Sequence, residues 1–316
     1  MKVKVLGTQS PYATGTHNCP GFLITEGDTK IMLDCGSGSH RLLNLPEDLE
    51  GLHVFISHFH RDHYNDIYNL QYASFVLHNQ KRLKNPICIH MPMTPVDINR
   101  DIREEAYAYA DYKTILSEYE GVKIGGLKVS FCLTDHTNES YAIKVESETR
   151  SIVYTSDISF ASSSKIIAFA ENVDLLICES SLLESYRLDK ITSHLTAMQA
   201  ATIAKRAKVK RLMLTHFWPE ESLDKFVYEA ATVFSDGIIA AKEGDLIDIS
   251  RIDVVPGSVV KREKEFNPAL WNPLGVKEAP HPKYSMSTGH NGFVEYQAPE
   301  DRYEVRGIMP KAPRNE

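Results

Sequence analysis

The sequence predicts an α/β protein in which two β-sheets pack face to face with helices on their outer surfaces. Two observations carry this. The first 250 residues fall into two blocks, and each mixes several short apolar strands with helical stretches. Residues able to bind metal recur immediately after those strands, at His58, His136, Asp157 and His216, where a rigid sheet edge can hold them.

The elements follow in order. Residues 2–7, 20–26 and 29–35 read as strands, separated by turn signals at Ser10-Pro11 and Gly27-Asp28. The third runs into Gly36-Ser37-Gly38, which places Asp34 at a strand end, either as a turn cap or as a carboxylate that orients a metal-bound histidine. Residues 52–57 form a strand that delivers Ser57-His58-Phe59-His60-Arg61-Asp62-His63. A helix is expected over 65–79, a strand over 87–90 and a helix over 99–120. Tyr107, Tyr109, Tyr112 and Tyr119 in that last helix are expected to pack, with a substrate mouth as the other option.

The second block has strands at 122–124, 127–134, 141–146 and 151–155, then a short helix at 163–170 and a strand at 174–179. A helix over 196–207 has Thr196 or Ser193 as its cap. Strand 211–215 ends in His216, and a helix at 222–235 with strands at 237–240 and 245–249 closes the regular region. From 251 to 316 prolines are frequent and periodicity fades. We expect an extension that packs on the domain of residues 1–250 or on a neighbouring subunit. His281, His290 and Tyr284 could then reach a partner's site in a homodimer.

Composition narrows the function. The net charge of −7 argues against a broad nucleic-acid-binding face, though a short nucleic-acid substrate remains compatible. No apolar run approaches the ~20 residues of a membrane span, and the N-terminal stretch lacks a signal-peptide core. Five cysteines, at 19, 35, 88, 132 and 178, are scattered without CxxC spacing. That favours reduced thiols and a cytoplasmic location, with no thiolate metal site.

The chemistry lies in the histidines and aspartates, a ligand set that suits zinc and similar divalent ions. His58 and His60 are two apart, so an extended backbone points both the same way. With His136 and Asp157 they can hold one ion. Asp62, His63, Asp157 and His216 can hold a second, with Asp157 bridging. Two ions ~3.5–4 Å apart can share a hydroxide and clamp the attacking and leaving oxygens of an in-line displacement. Zinc is the first expectation, with manganese and iron compatible.

His58-Phe59-His60-Arg61-Asp62-His63, with Asp34, His136, Asp157 and His216 in order, resembles the HxHxDH pattern of the metallo-β-lactamase superfamily. The resemblance spans about residues 1–250 and implies a four-layer αββα sandwich with metals at one edge of the sheets. A narrower resemblance is to the ribonuclease Z-like branch, carried by Leu6-Gly7-Thr8 with Pro11 and Asn18, and by Ser193-His194-Leu195-Thr196 heading a helix. It implies that His194 contacts the scissile phosphate or assists the leaving oxygen. Glu179, in Cys178-Glu179-Ser180-Ser181, would then keep His194 protonated. Asp62 joins these two as the candidate catalytic residues.

The leading expectation is a metal-dependent phosphodiesterase acting on a cyclic nucleotide or RNA phosphodiester. A lactone, thioester or other carboxyl-ester hydrolase is the first alternative. A transfer-RNA 3′-processing endonuclease is the second, weakened because His136 and Asp157 are only 21 residues apart and leave no room for a flexible arm.

Overall fold

The computed structural model describes residues 1–115, 121–186, 193–235 and 237–251. The 252–316 part of the extension, with His281, Tyr284 and His290, lies outside the described residues, as does Tyr119. The first block contains β1 (Lys2–Gly7), β2 (Gly21–Glu26), β3 (Thr29–Leu33), β4 (His53–Phe55), α1 (Arg61–Tyr64), α2 (Ile67–Asn79), β5 (Ile87–Met91), α3 (Val96–Arg103) and β6 (Ala110–Thr114). The second contains β7 (Val122–Ile124), β8 (Leu127–Leu133), β9 (Tyr141–Glu146), β10 (Ser151–Tyr154), α4 (Ser163–Phe169), β11 (Leu175–Glu179), α5 (Ala197–Ala207), β12 (Leu212–Thr215), α6 (Leu223–Ala231), β13 (Ile238–Ala240) and β14 (Leu246–Asp248).

Two seven-stranded sheets result. One has the order β14-β1-β2-β3-β4-β5-β6, the other β13-β12-β11-β10-β9-β8-β7. The last strand of the described residues, β14, therefore returns to pair with β1, Val3 opposite Ile247. Alternation places Val3, Val5, Phe22, Ile24, Ile31, Leu33 and Phe55 against Val129, Phe131, Ile143, Val145, Ile177 and Met213 in one apolar layer between the sheets. The opposite faces pack under α2 and α3 on the first sheet and under α4, α5 and α6 on the second. The sequence-predicted α/β sandwich, helices outside, is the observed architecture.

α5 shows why such a helix forms where it does. Thr196 accepts from the Gln199 backbone N–H and Gln199 reciprocates to the Thr196 backbone, while Lys208 ends the helix in the left-handed conformation. Of the two caps expected, Thr196 is the one used. Its alanines at 197, 200, 201, 204 and 207 are buried, which lets the helix lie close on the sheet. Thr196→Ala is expected to cost about 1 kcal/mol, read from the urea midpoint, with no change in metal content.

One expected helix is corrected. Over 99–115, the described part of that stretch, α3 ends at Arg103 and the edge strand β6 follows, pairing in parallel with β5 from Ile87↔Ala110 to Met91↔Thr114. The Glu- and Ala-rich composition favours helix, but Ala110-Asp111-Tyr112-Lys113-Thr114 alternates with period two and completes the sheet. Tyr107, Tyr109 and Tyr112 pack on the α2 side. Tyr112 Oη accepts from Gln71 Nε2 at 2.8 Å, Tyr109 stacks on His78 at 3.6 Å, and Tyr107 lies 5.5 Å from the Tyr72 ring.

Candidate metal centre

The parallel strands β3, β4, β10, β11 and β12 end on one side of the sandwich, and the candidate residues leave from those ends. Asp34 follows β3, residues 57–63 follow β4, Asp157 follows β10, Glu179 ends β11 and His216 follows β12. Asp34, Ser156 and His216 all adopt positive φ, at 57°, 55° and 63°. A non-glycine residue there costs on the order of 1–3 kcal/mol, and such residues cluster where function constrains the backbone. The single turn of α1 folds Asp62 and His63 back, with His63 N–H donating to His60 O at 2.9 Å and Cys35 N–H donating to His63 O at 2.7 Å.

The seven expected ligands lie in one cluster. His60 Nδ1 is 3.0 Å from His58 Nε2 and 3.1 Å from His136 Nε2. Asp157 Oδ2 is 3.6 Å from His58 Nε2 and 3.5 Å from His136 Nε2. Beside this set, His63 Nε2 and His216 Nε2 are 3.1 Å apart, and Asp62 Oδ2 is 3.5 Å from each. Asp157 Oδ1 faces the second set, 3.3 Å from His63 Nε2 and 3.0 Å from His216 Nε2.

Each imidazole is held from behind by oxygen. His63 Nδ1–H donates to Asp34 Oδ2 at 2.7 Å, and His136 Nδ1–H donates to Ser193 O at 3.3 Å. His216 Nδ1 meets Ser181 Oγ at 2.7 Å, whose own proton goes to Glu179 Oε2 at 2.8 Å. His58 Nδ1 meets Ser57 Oγ at 3.1 Å and Ser156 Oγ at 3.2 Å, and His60 Nε2 meets Thr137 Oγ1 at 3.2 Å. The rear contacts fix the tautomers and turn five nitrogen lone pairs inward. Lone pairs 3.0–3.1 Å apart repel unless a cation or proton lies between them. Asp157 Oδ1 is buried and accepts no hydrogen bond. The local charge agrees: burial opposes a charged His216, yet the Asp157 carboxylate more than offsets it and pushes the imidazole up to about 10. The donor set, its rear contacts and its unmet negative charge fit divalent metal.

Residues 29–217 match the family model for the beta-lactamase superfamily domain. The chain belongs to the metallo-β-lactamase superfamily. It is 31% identical over 258 residues to the probable metallo-hydrolase YhfI of Bacillus subtilis, covering 77% of this chain and 98% of that protein. The crystal structure of YhfI, a metallo-β-lactamase fold protein, superposes with a TM-score of 0.72, 28% identity and coverage of 78% and 98%. Ribonuclease Z of Archaeoglobus fulgidus is 26% identical over 307 residues, covering 76% and 95%.

The superfamily match contains every site residue named so far, including two that the ligand sets leave over. His194 Nδ1 lies 3.2 Å from Glu179 Oε2, and its ring stands 5.4 Å from that of His216. Glu179 is fully buried and also accepts from Ile158 N–H at 2.8 Å and Leu195 N–H at 3.2 Å. Burial lowers the His194 pKa, but Glu179 and then Asp157 more than offset it, so the net direction is upward.

The site also includes residues that sequence reasoning missed. Ser10 Oγ donates to Asp62 Oδ2 at 2.7 Å, and Tyr154 Oη donates to Asp34 Oδ2 at 2.7 Å. Ser57, Ser156 and Ser181 complete the ring of oxygens. Serines and a strand tyrosine carry no spacing that marks them; only their position beside a recognised strand end could have done so. No helix among the described residues is long and apolar enough to cross a membrane.

Proposed function

We propose that the protein is a metal-dependent phosphodiesterase acting on a small phosphodiester or a short nucleic acid. Two divalent ions, zinc foremost, would be held by His58, His60, His136 and Asp157 and by Asp62, His63, Asp157 and His216. Bound there, the ions would lower the pKa of a water toward ~7 and supply positive charge for an in-line displacement. The remaining tasks fall to the chain's own groups. Asp157 turns one oxygen to each set, and Asp34 and Ser181 hold His63 and His216 in the tautomer that offers Nε2.

The observation that carries the phosphodiester reading is the His194–Glu179 pair. Glu179 takes the Nδ1–H of His194, which leaves Nε2–H free for substrate. A cationic imidazole suits a phosphoryl oxygen and can give its Nε2 proton to a departing alkoxide. The likeness to a protein named ribonuclease Z supports the same bond class.

The test is a screen of the zinc- or manganese-loaded protein against bis-p-nitrophenyl phosphate, cyclic nucleotides, short RNA, precursor transfer RNA and lactones. His194→Ala is expected to lower kcat on RNA or a cyclic nucleotide by ~10²–10⁴ with metal content unchanged. The loss should be smaller on bis-p-nitrophenyl phosphate, whose phenolate leaves without a proton. Turnover of lactones or thioesters alone, with none on any phosphodiester, would sink the reading.

A further inference from the structure

A second cluster of metal-ligating side chains lies outside this centre. His53 opens β4, and Cys88 and His90 lie on the neighbouring strand β5. The register pairs His53 with Cys88 and Phe55 with His90, and on the other side His53 with Ile31. All five therefore leave the same face of the first sheet, the face that elsewhere contributes Ile31, Leu33 and Phe55 to the apolar layer between the sheets. Two imidazoles and a thiol in one spot of such a layer are a costly insertion unless they have partners.

His53 Nδ1 and His90 Nε2 are 3.0 Å apart, and Cys88 Sγ lies within 4.8 Å of a ring nitrogen of each histidine. Donors about 2.0–2.3 Å from a tetrahedral zinc stand roughly 3.3–3.8 Å from one another, so small side-chain shifts would close the set on an ion. A single N–H···N bond would account for the two nitrogens, but not for the thiol at the same corner. The His90 ring is held in place by Phe55, stacked on it at 4.1 Å. His53 and Cys88 are half-buried, which leaves a path from solvent. Exposed Asp111, register partner of Cys88, offsets the charge of Lys113, the partner of His90.

We infer that His53, Cys88 and His90 form a separate site for one borderline-soft divalent cation of the zinc class. Binding releases the Cys88 thiol proton to solvent and leaves a fourth position for water. His58 lies five steps of extended chain beyond His53, a span on the order of 15 Å, so the two centres are distinct. The ion would tie β4 to β5 and brace the strand that delivers the HxHxDH segment.

The test is a Co²⁺ titration of the full-length protein followed by absorption. The main centre offers only nitrogen and oxygen, so a near-ultraviolet thiolate-to-Co²⁺ charge-transfer band reports the Cys88 site. The band is expected in the wild type and absent in Cys88→Ser, which should also bind about one ion per chain fewer. It should persist in Cys132→Ala. His53→Gln, at a half-exposed position, should weaken Co²⁺ binding in this band at least about tenfold and carries the same readout if Cys88→Ser does not fold. A folded wild type without the band, or a band that survives Cys88→Ser, overturns the assignment.

Discussion

Replacing Asp157 with alanine is expected to remove about 10³-fold or more of the proposed phosphodiesterase activity and to lower the divalent metal bound per chain. Among the described residues, Asp157 is the only carboxylate that approaches both histidine sets, Oδ2 toward His58 and His136 and Oδ1 toward His63 and His216. It is 1% exposed, so water cannot stand in for it without reorganisation. Its loss would deprive two ions of one shared negative ligand, and several kcal/mol of transition-state stabilisation corresponds to about three decades in rate. The fold should tolerate the change. The backbone carbonyl of Asp157 still accepts from Thr134 Oγ1 at 3.1 Å, a bond that does not need the carboxylate. Elemental analysis beside steady-state kinetics makes the check. A variant that keeps its full metal content and stays within tenfold of wild-type kcat would rule out a shared carboxylate.

Asp34→Ala should act mainly on stability. Ser57 N–H, Ser57 Oγ, His63 Nδ1 and Tyr154 Oη all donate to this one fully buried carboxylate, at 2.7–2.9 Å. Deleting it leaves four buried donors without an acceptor and frees the His63 ring, a loss of roughly 3–5 kcal/mol. Urea unfolding of the metal-free protein measures this directly. Asp34→Asn retains an acceptor for Ser57 but removes the charge behind His63. It should therefore unfold between wild type and the alanine variant, and lower metal affinity by about 10–100-fold. An unchanged unfolding midpoint in Asp34→Ala would show that these contacts contribute little.

Much of this protein could be read from residue order alone because its candidate ligands follow strands. An apolar run ending in His-x-His, Asp-His or Thr-Ser-Asp is both a structural and a chemical pattern. The 58–63 segment, His136, Asp157 and His216 are far apart in sequence yet come from the ends of strands in one layered fold. The helix expected over 99–120 failed for the complementary reason. Its local composition favours helix, and only the open edge of β5 makes Ala110–Thr114 a strand. Edge pairing is a long-range event that composition cannot report.

The sequence by itself determined the α/β class, the outer helices and the set of candidate metal-binding side chains, because periodicity and ligand chemistry are local properties. Only the tertiary structure decided which nitrogen of each histidine faces inward, since that depends on oxygens from Asp34, Ser57, Ser156, Ser181 and Ser193 brought in from other strands and loops. It alone placed His53 beside Cys88 and His90 and brought His194 Nδ1 to 3.2 Å from Glu179, because those contacts form between segments that are separated along the chain.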